Sequence, residues 1–236
     1  MEKQAGSMKS GTVGRAMEFL WYGHAGRVLI MLPTSGGRQN ENEDFGLVEV
    51  VRPLIEAGQL QVVCPDSLNR ESWADESLPP EEKLRRHELY DRFLAHEFFP
   101  WLAERSGRHD PILYGASLGG WQAVTFAARY PHLVSRVIAF SGFFDLRRLT
   151  KTWFGGSAYF YSPVDFIANM DADWVARLSK VEWIIATGDG DSLAEETRTL
   201  GALFGRKGIP AHVELWPGVF GHDWPFWKQH LPRFVP

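Results

Sequence analysis

Short, nearly unbroken apolar runs alternate along this chain with longer stretches in which apolar residues recur every three or four positions. Residues 27–32, 60–64, 112–114, 136–140, 181–186 and 211–216 read as strands, most of them buried on both faces. Residues 45–57, 81–104, 118–129 and 192–206 carry helical spacing, and shorter helices fit residues 171–179 and 224–231. Strands and helices in alternation predict an α/β fold, with a mostly parallel sheet covered on both faces. Residues 1–15 are polar and read as a flexible arm, which leaves residues 16–236 as one domain. Residues 16–22 and 27–32 read as two strands of a hairpin turned by Gly23-His24-Ala25-Gly26. Pro53 predicts a kink or break in the first helix. In the second helix Leu84, Tyr90, Leu94, Phe98 and Trp101 share one side. His87 lies on that side too and reads as a core histidine with a hydrogen-bond partner. Residues 143–170 are irregular and aromatic, too short for a separate domain. A lid, a pocket wall and a surface excursion all fit them.

Composition narrows the function. A chain of 236 residues, 44% hydrophobic and 23% charged, suits one domain with a full core. A net charge of -4 leaves no basic footprint for nucleic acid and no polybasic segment for a membrane surface. No apolar run reaches membrane-spanning length, and the N-terminal residues lack the apolar centre of a signal peptide, so a cytoplasmic location is expected. The single cysteine, Cys64, excludes an intrachain disulfide and reads as a small buried hydrophobe. Glu41, Glu43 and Asp44 form an acidic cluster, but no histidine spacing joins it. Solvated or helix-starting acids explain it better than a metal does.

The chemistry centres on Pro111-Ile-Leu-Tyr-Gly-Ala-Ser-Leu-Gly-Gly-Trp121. An apolar strand runs into Gly115-x-Ser117-x-Gly119 and then into a helix rich in small residues, the context of a nucleophile elbow. A tight turn of this kind lifts the Ser117 hydroxyl clear of the sheet. The free N–H groups at the helix start then face any anion formed there. A serine hydroxyl needs a base and the base an orienting acid. His222 follows the last strand. Asp191 and Asp189 follow the strand before it. Parallel strands would bring these loops to the edge where Ser117 sits. Asp191 is preferred because Ser192-Leu-Ala-Glu195 fits a capping box, which would leave the Asp191 carboxylate available. Asp189, between two glycines, suits a turn, and Asp145 is a third candidate.

These pieces resemble the α/β-hydrolase superfamily, and within it the Putative esterase family that includes S-formylglutathione hydrolase, the feruloyl esterases and the antigen 85 mycolyltransferases. The resemblance runs from about residue 16 onward. Its matching segments are Tyr114-Gly-Ala-Ser-Leu-Gly-Gly120, Gly188-Asp-Gly-Asp-Ser-Leu193 and Gly221-His-Asp-Trp224. It implies an α/β-hydrolase fold without a large cap domain, a nucleophile at Ser117, a base at His222, an acid in the 189–191 loop and no cofactor. Many relatives carry His-Gly after the strand that ends here at Leu32, whereas this chain has Pro33-Thr-Ser-Gly-Gly37. The oxyanion hole would then use the Leu118 N–H and one from Thr34 or Ser35. Trp73, Trp224 and Phe143 are candidates for the substrate pocket. Ester hydrolysis on a small or medium ester is the expected activity. Acyl transfer on the same residues and a non-catalytic binding module are the alternatives.

Overall fold

In the computed structural model, which describes residues 1–235, the apolar runs meet in one sheet. Its strands are β1 (Lys3–Lys9), β2 (Ala16–Tyr22), β3 (Arg27–Met31), β4 (Leu60–Pro65), β5 (Ile112–Ala116), β6 (Arg136–Phe140), β7 (Glu182–Gly188) and β8 (Ala211–Trp216). They lie in the order β1-β2-β4-β3-β5-β6-β7-β8. From β4 to β8 every neighbouring pair is parallel, while β2 runs antiparallel to β1 and β4. Alternation along the central strands divides the core. Ile30 and Leu113 face one layer, and Leu29, Ile112 and Tyr114 the other.

Two expectations about the N-terminal part are corrected. Lys3–Lys9 is the edge strand of the sheet, paired with β2 from Lys3↔Tyr22 to Lys9↔Ala16. It carries no apolar run because an edge strand here leaves most of its side chains in solvent. The hairpin is therefore β1–β2. Strands β2 and β3 are not neighbours, since β4 lies between them and takes the ladder bonds of both.

After a first turn of helix, α1 (Glu41–Asp44), the helix expected over residues 45–57 is two short ones, α2 (Leu47–Val50) and α3 (Arg52–Glu56). Pro53 sits in the first turn of α3, where its missing N–H has no bond to lose. Helix α4 (Pro80–Phe93) continues through a π turn, Leu94–Phe98, into α5 (Phe99–Ser106). Pro100 follows that widened turn, as expected where a proline cannot donate to the turn before it. Then come α6 (Leu118–Arg129), α7 (Arg147–Thr150), α8 (Pro163–Phe166), α9 (Ala172–Leu178), α10 (Ala194–Lys207) and α11 (Trp224–His230). Helices α4, α5, α6 and α10 pack on one face of the sheet, and α2, α3 and α11 on the other. Among the described residues, no helix is long and apolar enough to cross a membrane.

His87 is buried as expected, but its Nδ1 has no hydrogen-bond partner among the described residues. Its ring lies 4.7 Å from that of Trp121 and edge-on to Tyr161 instead, and burial pushes its pKa down to about 3. Residues 143–170 form a wall packed on α6 and α10. The Phe143 ring stacks on Trp121 at 5.6 Å, Trp121 Nε1–H donates to the Tyr161 carbonyl at 2.9 Å, and Phe144 N–H donates to Glu196 at 3.0 Å.

Chain order decides where a ligand can sit. From β3 the chain moves to β4 on one side, then returns to β5 on the other. The crevice outside the C-terminal ends of β3 and β5 is thus the topological switch point, where open α/β sheets take their ligands. The 33–37 loop and Ser117 leave the sheet there.

Candidate active site

Helix α6 starts one residue after β5 ends, and only Ser117 lies between them. So abrupt a reversal brings backbone onto backbone. A Cβ on Gly115 would stand 2.1 Å from the Gly119 carbonyl oxygen, and one on Gly119 would stand 2.7 Å from that of Pro33. Ser117 absorbs the turn with φ 54° and ψ −120°, a conformation costing on the order of 1–3 kcal/mol for a residue with a side chain. Its N–H donates to the Phe140 carbonyl at 2.9 Å, and its own carbonyl accepts from Gly120 and Trp121 at 3.0 and 3.2 Å. Strain at one residue is thereby held by three bonds to its surroundings. The hydroxyl is left free for other partners.

That hydroxyl meets His222. Oγ of Ser117 lies 2.9 Å from His222 Nε2, while Nδ1 of the same ring lies 3.2 and 3.1 Å from the two carboxylate oxygens of Asp191. A carboxylate only accepts, so Nδ1 carries the proton of the neutral ring and Nε2 presents a lone pair to the serine hydroxyl. The Asp191 side chain is fully buried. Burial would raise its pKa, but hydrogen bonds, chiefly from His222 and the Leu193 N–H, outweigh burial and hold it at about 2. Thr187 Oγ1 donates to the second oxygen at 3.0 Å, and Ser141 lies 2.9 Å behind Thr187. Trp227 Nε1–H closes the line by donating to Ser141 Oγ at 3.0 Å, with its ring edge-on to His222. Every donor in this line points toward the carboxylate.

The other two acids go elsewhere. Asp189 accepts from the Gly218 N–H at 3.1 Å and so ties down the loop that bears His222. Asp145 accepts from the N–H and guanidinium of Arg147. The capping-box reason for preferring Asp191 is overturned. The N-cap of α10 is Leu193 with no side-chain cap, and the Leu193 N–H is taken by Asp191 itself at 2.8 Å. Ser192 turns its hydroxyl toward Asp191 at 3.5 Å.

On the other flank, Thr34 and Ser35 are separated by their bonding. Thr34 N–H donates to Glu41 Oε2 at 2.6 Å and its hydroxyl to Oε1 at 2.9 Å. The Ser35 and Leu118 N–H groups have no partner among the described residues. Burial raises the Glu41 pKa above its ordinary value, against the Thr34 hydrogen bonds that lower it. Of the pocket candidates, Trp73 and Phe143 join one apolar cluster with Leu118 and Leu193 beside the elbow. Trp224 belongs to a different cluster, stacked on Phe45 at 4.4 Å and edge-on to Trp227.

The sequence reading did not single out Ser141, Thr187, Glu41, Asn69 or Gln122 as part of the site. A polar residue at the C-terminal end of an apolar strand is the one signal available for Ser141 and Thr187. Glu41 does start a helix, as one of the two readings of its acidic cluster expects, but its hold on the Thr34 N–H leaves no trace in residue type.

The family model described as Putative esterase matches residues 22–236. No curated protein sequence gives a match. Among solved structures, a ferulic acid esterase superimposes with a TM-score of 0.80 at 21% identity, covering 100% of this chain and 96% of that one. An S-formylglutathione hydrolase from Agrobacterium tumefaciens gives 0.75 at 17% identity, with 99% and 92% covered. MPT51 of Mycobacterium tuberculosis gives 0.65 at 16%, with 100% and 98% covered. At these identities the likeness is one of fold.

Proposed function

The chain belongs to the Putative esterase family and is a carboxylic-ester hydrolase, and from that premise we propose that it works through an acyl-enzyme on Ser117, with His222 as base and Asp191 as the orienting acid. The observation that carries this reading is the line of hydrogen bonds from buried Asp191 through both nitrogens of His222 to the strained Ser117. Ser117 Oγ attacks the acyl carbon while His222 Nε2 takes its proton. The carbonyl electrons move onto oxygen, which the free N–H groups beside the elbow stabilise. When the carbonyl re-forms, the bond to the alcohol breaks and His222 returns the proton to the departing oxygen. Water then repeats the sequence and frees the acid and Ser117. Asp191 keeps its charge throughout, since its pKa is held at about 2.

The substrate is a small-molecule ester of small or medium acyl length, reached without passing a cap domain. Trp73 and Phe143 lie in the apolar cluster beside the elbow and are the side chains nearest to hand for an apolar wall, with Trp121 buried behind Phe143. One structural neighbour is a ferulic acid esterase, and its name is compatible with an acyl group of that shape. A cytoplasmic location goes with this reading. The test is a p-nitrophenyl acetate burst experiment together with fluorophosphonate labelling. One nitrophenolate should be released per active site before steady state, and one phosphonyl group should be found on the Ser117 peptide. Turnover that persists in fully labelled protein would sink the mechanism.

A further inference from the structure

The loop that faces the elbow is braced by polar side chains at every turn. Glu41 holds the N–H and hydroxyl of Thr34. Ser67 Oγ donates to the Gly37 carbonyl at 2.8 Å, and Arg70 Nε to that of Gly36 at 2.6 Å. The Thr34 carbonyl accepts from Asn69 Nδ2 at 2.9 Å and from the Gly37 N–H at 3.2 Å. Asn69 Oδ1 in turn accepts from Gln122 Nε2 at 2.8 Å. Asn69 is 1% exposed and Gln122 3%. Asn69 bonds at both ends of its amide, whereas Gln122 Oε1 has no partner among the described residues, so the Gln122 amide is held by its bond to Asn69.

We infer that Asn69 and Gln122 are positioning residues, a relay that aims the Ser35 N–H as the second oxyanion donor and sets its spacing from the Leu118 N–H. The inference rests on the esterase reading above. The Thr34 N–H is occupied by a carboxylate, so it is not the donor. A peptide unit is planar and trans, and its C=O and the next residue's N–H point in opposite directions. Anchoring the Thr34 carbonyl on Asn69 therefore turns the Ser35 N–H the other way. The loop lies against the first turn of α6, where the Cβ position of Gly119 is 2.7 Å from the Pro33 carbonyl. Gln122 stands four residues after Leu118, on the same side of α6. The helix that supplies the first donor thus also holds, through Asn69, the peptide that supplies the second. Neither amide touches the reacting atoms. Their effect appears only where charge develops on the substrate oxygen.

The direction of the relay makes it testable with a nearly isosteric change. Asn69→Asp keeps an acceptor for Gln122 but sets an oxygen against the Thr34 carbonyl, where Asn69 had a donor. On p-nitrophenyl acetate, with active sites counted by fluorophosphonate titration, its kcat should fall about 10- to 100-fold while KM changes by less than about threefold, the signature of an interaction made in the transition state. Inhibition by phenylboronic acid, which places a tetrahedral oxygen in the hole, should weaken in parallel. Gln122→Met removes the donor to Asn69 without adding charge and carries the same expectation with a smaller drop, should Asn69→Asp fail to fold. Asn69→Ala with Gln122→Ala should lose no more than the worse single variant, because the two act in series. A wild-type enzyme that turns over, with Asn69→Asp or Gln122→Met unchanged in kcat per active site, overturns the relay alone. A wild-type protein that neither hydrolyses the ester nor takes the label overturns both the relay and the reading beneath it.

Discussion

The two flanks of Ser117 are built in opposite ways. Toward His222, the groups that reach the serine are side chains, and hydroxyls and backbone hold them: Thr187, backed by Ser141, and the Leu193 N–H converge on Asp191. Toward the 33–37 loop, the group left free is a backbone N–H, and side chains hold the backbone: Glu41, Asn69, Ser67 and Arg70. Residue type matters at the first flank in the working group itself. At the second it matters only in the support. The same chemical substitution should therefore have very different consequences on the two sides.

The largest effect belongs to the serine between them. Ser117→Ala should lower ester turnover by about 10^3- to 10^6-fold, the span of nucleophile deletions in such sites, with the fold intact by circular dichroism. Next comes Asp191→Asn, which removes the charge that stabilises protonated His222 and should cost about 10^3- to 10^4-fold in kcat. Asp189→Asn and Asp145→Asn should stay within about threefold of wild type, the scale of substitutions away from the reacting groups. Near-normal turnover of Asp191→Asn, with either of the others crippled, would move the working acid to a different loop.

Glu41→Gln is the matching acid-to-amide change on the other flank, and there it should be tolerated. The amide oxygen can accept from the Thr34 N–H and the NH2 can donate to the Thr34 hydroxyl, so the loop keeps both bonds. Turnover should remain within about threefold of wild type. The two acids also differ in how they link stability to pH. Asp191 has a depressed pKa, so its contribution is present above the ordinary value of 3.8 and lost as pH falls toward about 2. Glu41 has a raised pKa, so its contribution is present below the ordinary value of 4.5 and lost as pH rises through the raised one. Urea midpoints measured across a pH series should show Glu41→Gln gaining on wild type as pH rises above that range. Asp191→Asn should lose the acid-side dependence between about pH 4 and 2. A Glu41→Gln variant as inactive as Asp191→Asn would abolish the distinction between the flanks.

That distinction also explains what could be read from the chain. The central parallel strands were legible because burial on both faces writes itself as an apolar run, as in Val28–Met31 and Ile112–Tyr114. β1 was not, because an edge strand with exposed Lys3 and Lys9 has no such run. Ser117, His222 and the 189–191 loop stood out because their residue types and their places after strands coincide. The choice between Thr34 and Ser35 stayed open, since every residue but proline offers an N–H. What separates the two in the fold is where Glu41 and Asn69 reach, since they occupy the Thr34 N–H and carbonyl, and both reach across more than five residues of chain. The false hairpin has the same origin. Gly23 and Gly26 signal a turn, but which strand pairs with which is decided by long-range partners such as β4.

The smallest expected effect is also the most direct test of the difference. Ser35→Ala makes the same change as Ser117→Ala, a hydroxyl replaced by hydrogen, on the flank where backbone is the working group. Ser35 is exposed, and its hydroxyl has no hydrogen-bond partner among the described residues. Alanine keeps the N–H, and the Thr34 carbonyl stays anchored on Asn69, so the direction of the Ser35 N–H is unchanged. Both kcat and KM on p-nitrophenyl acetate should therefore lie within about twofold of wild type, as for surface changes that touch no special feature. Fluorophosphonate should label the variant at the wild-type rate, because the developing charge meets the same donors. A drop of about 10-fold or more in kcat at constant KM would mean that the Ser35 hydroxyl itself reaches the transition state. In that case this flank also works through a side chain, and the contrast between the two sides of Ser117 would have to be redrawn.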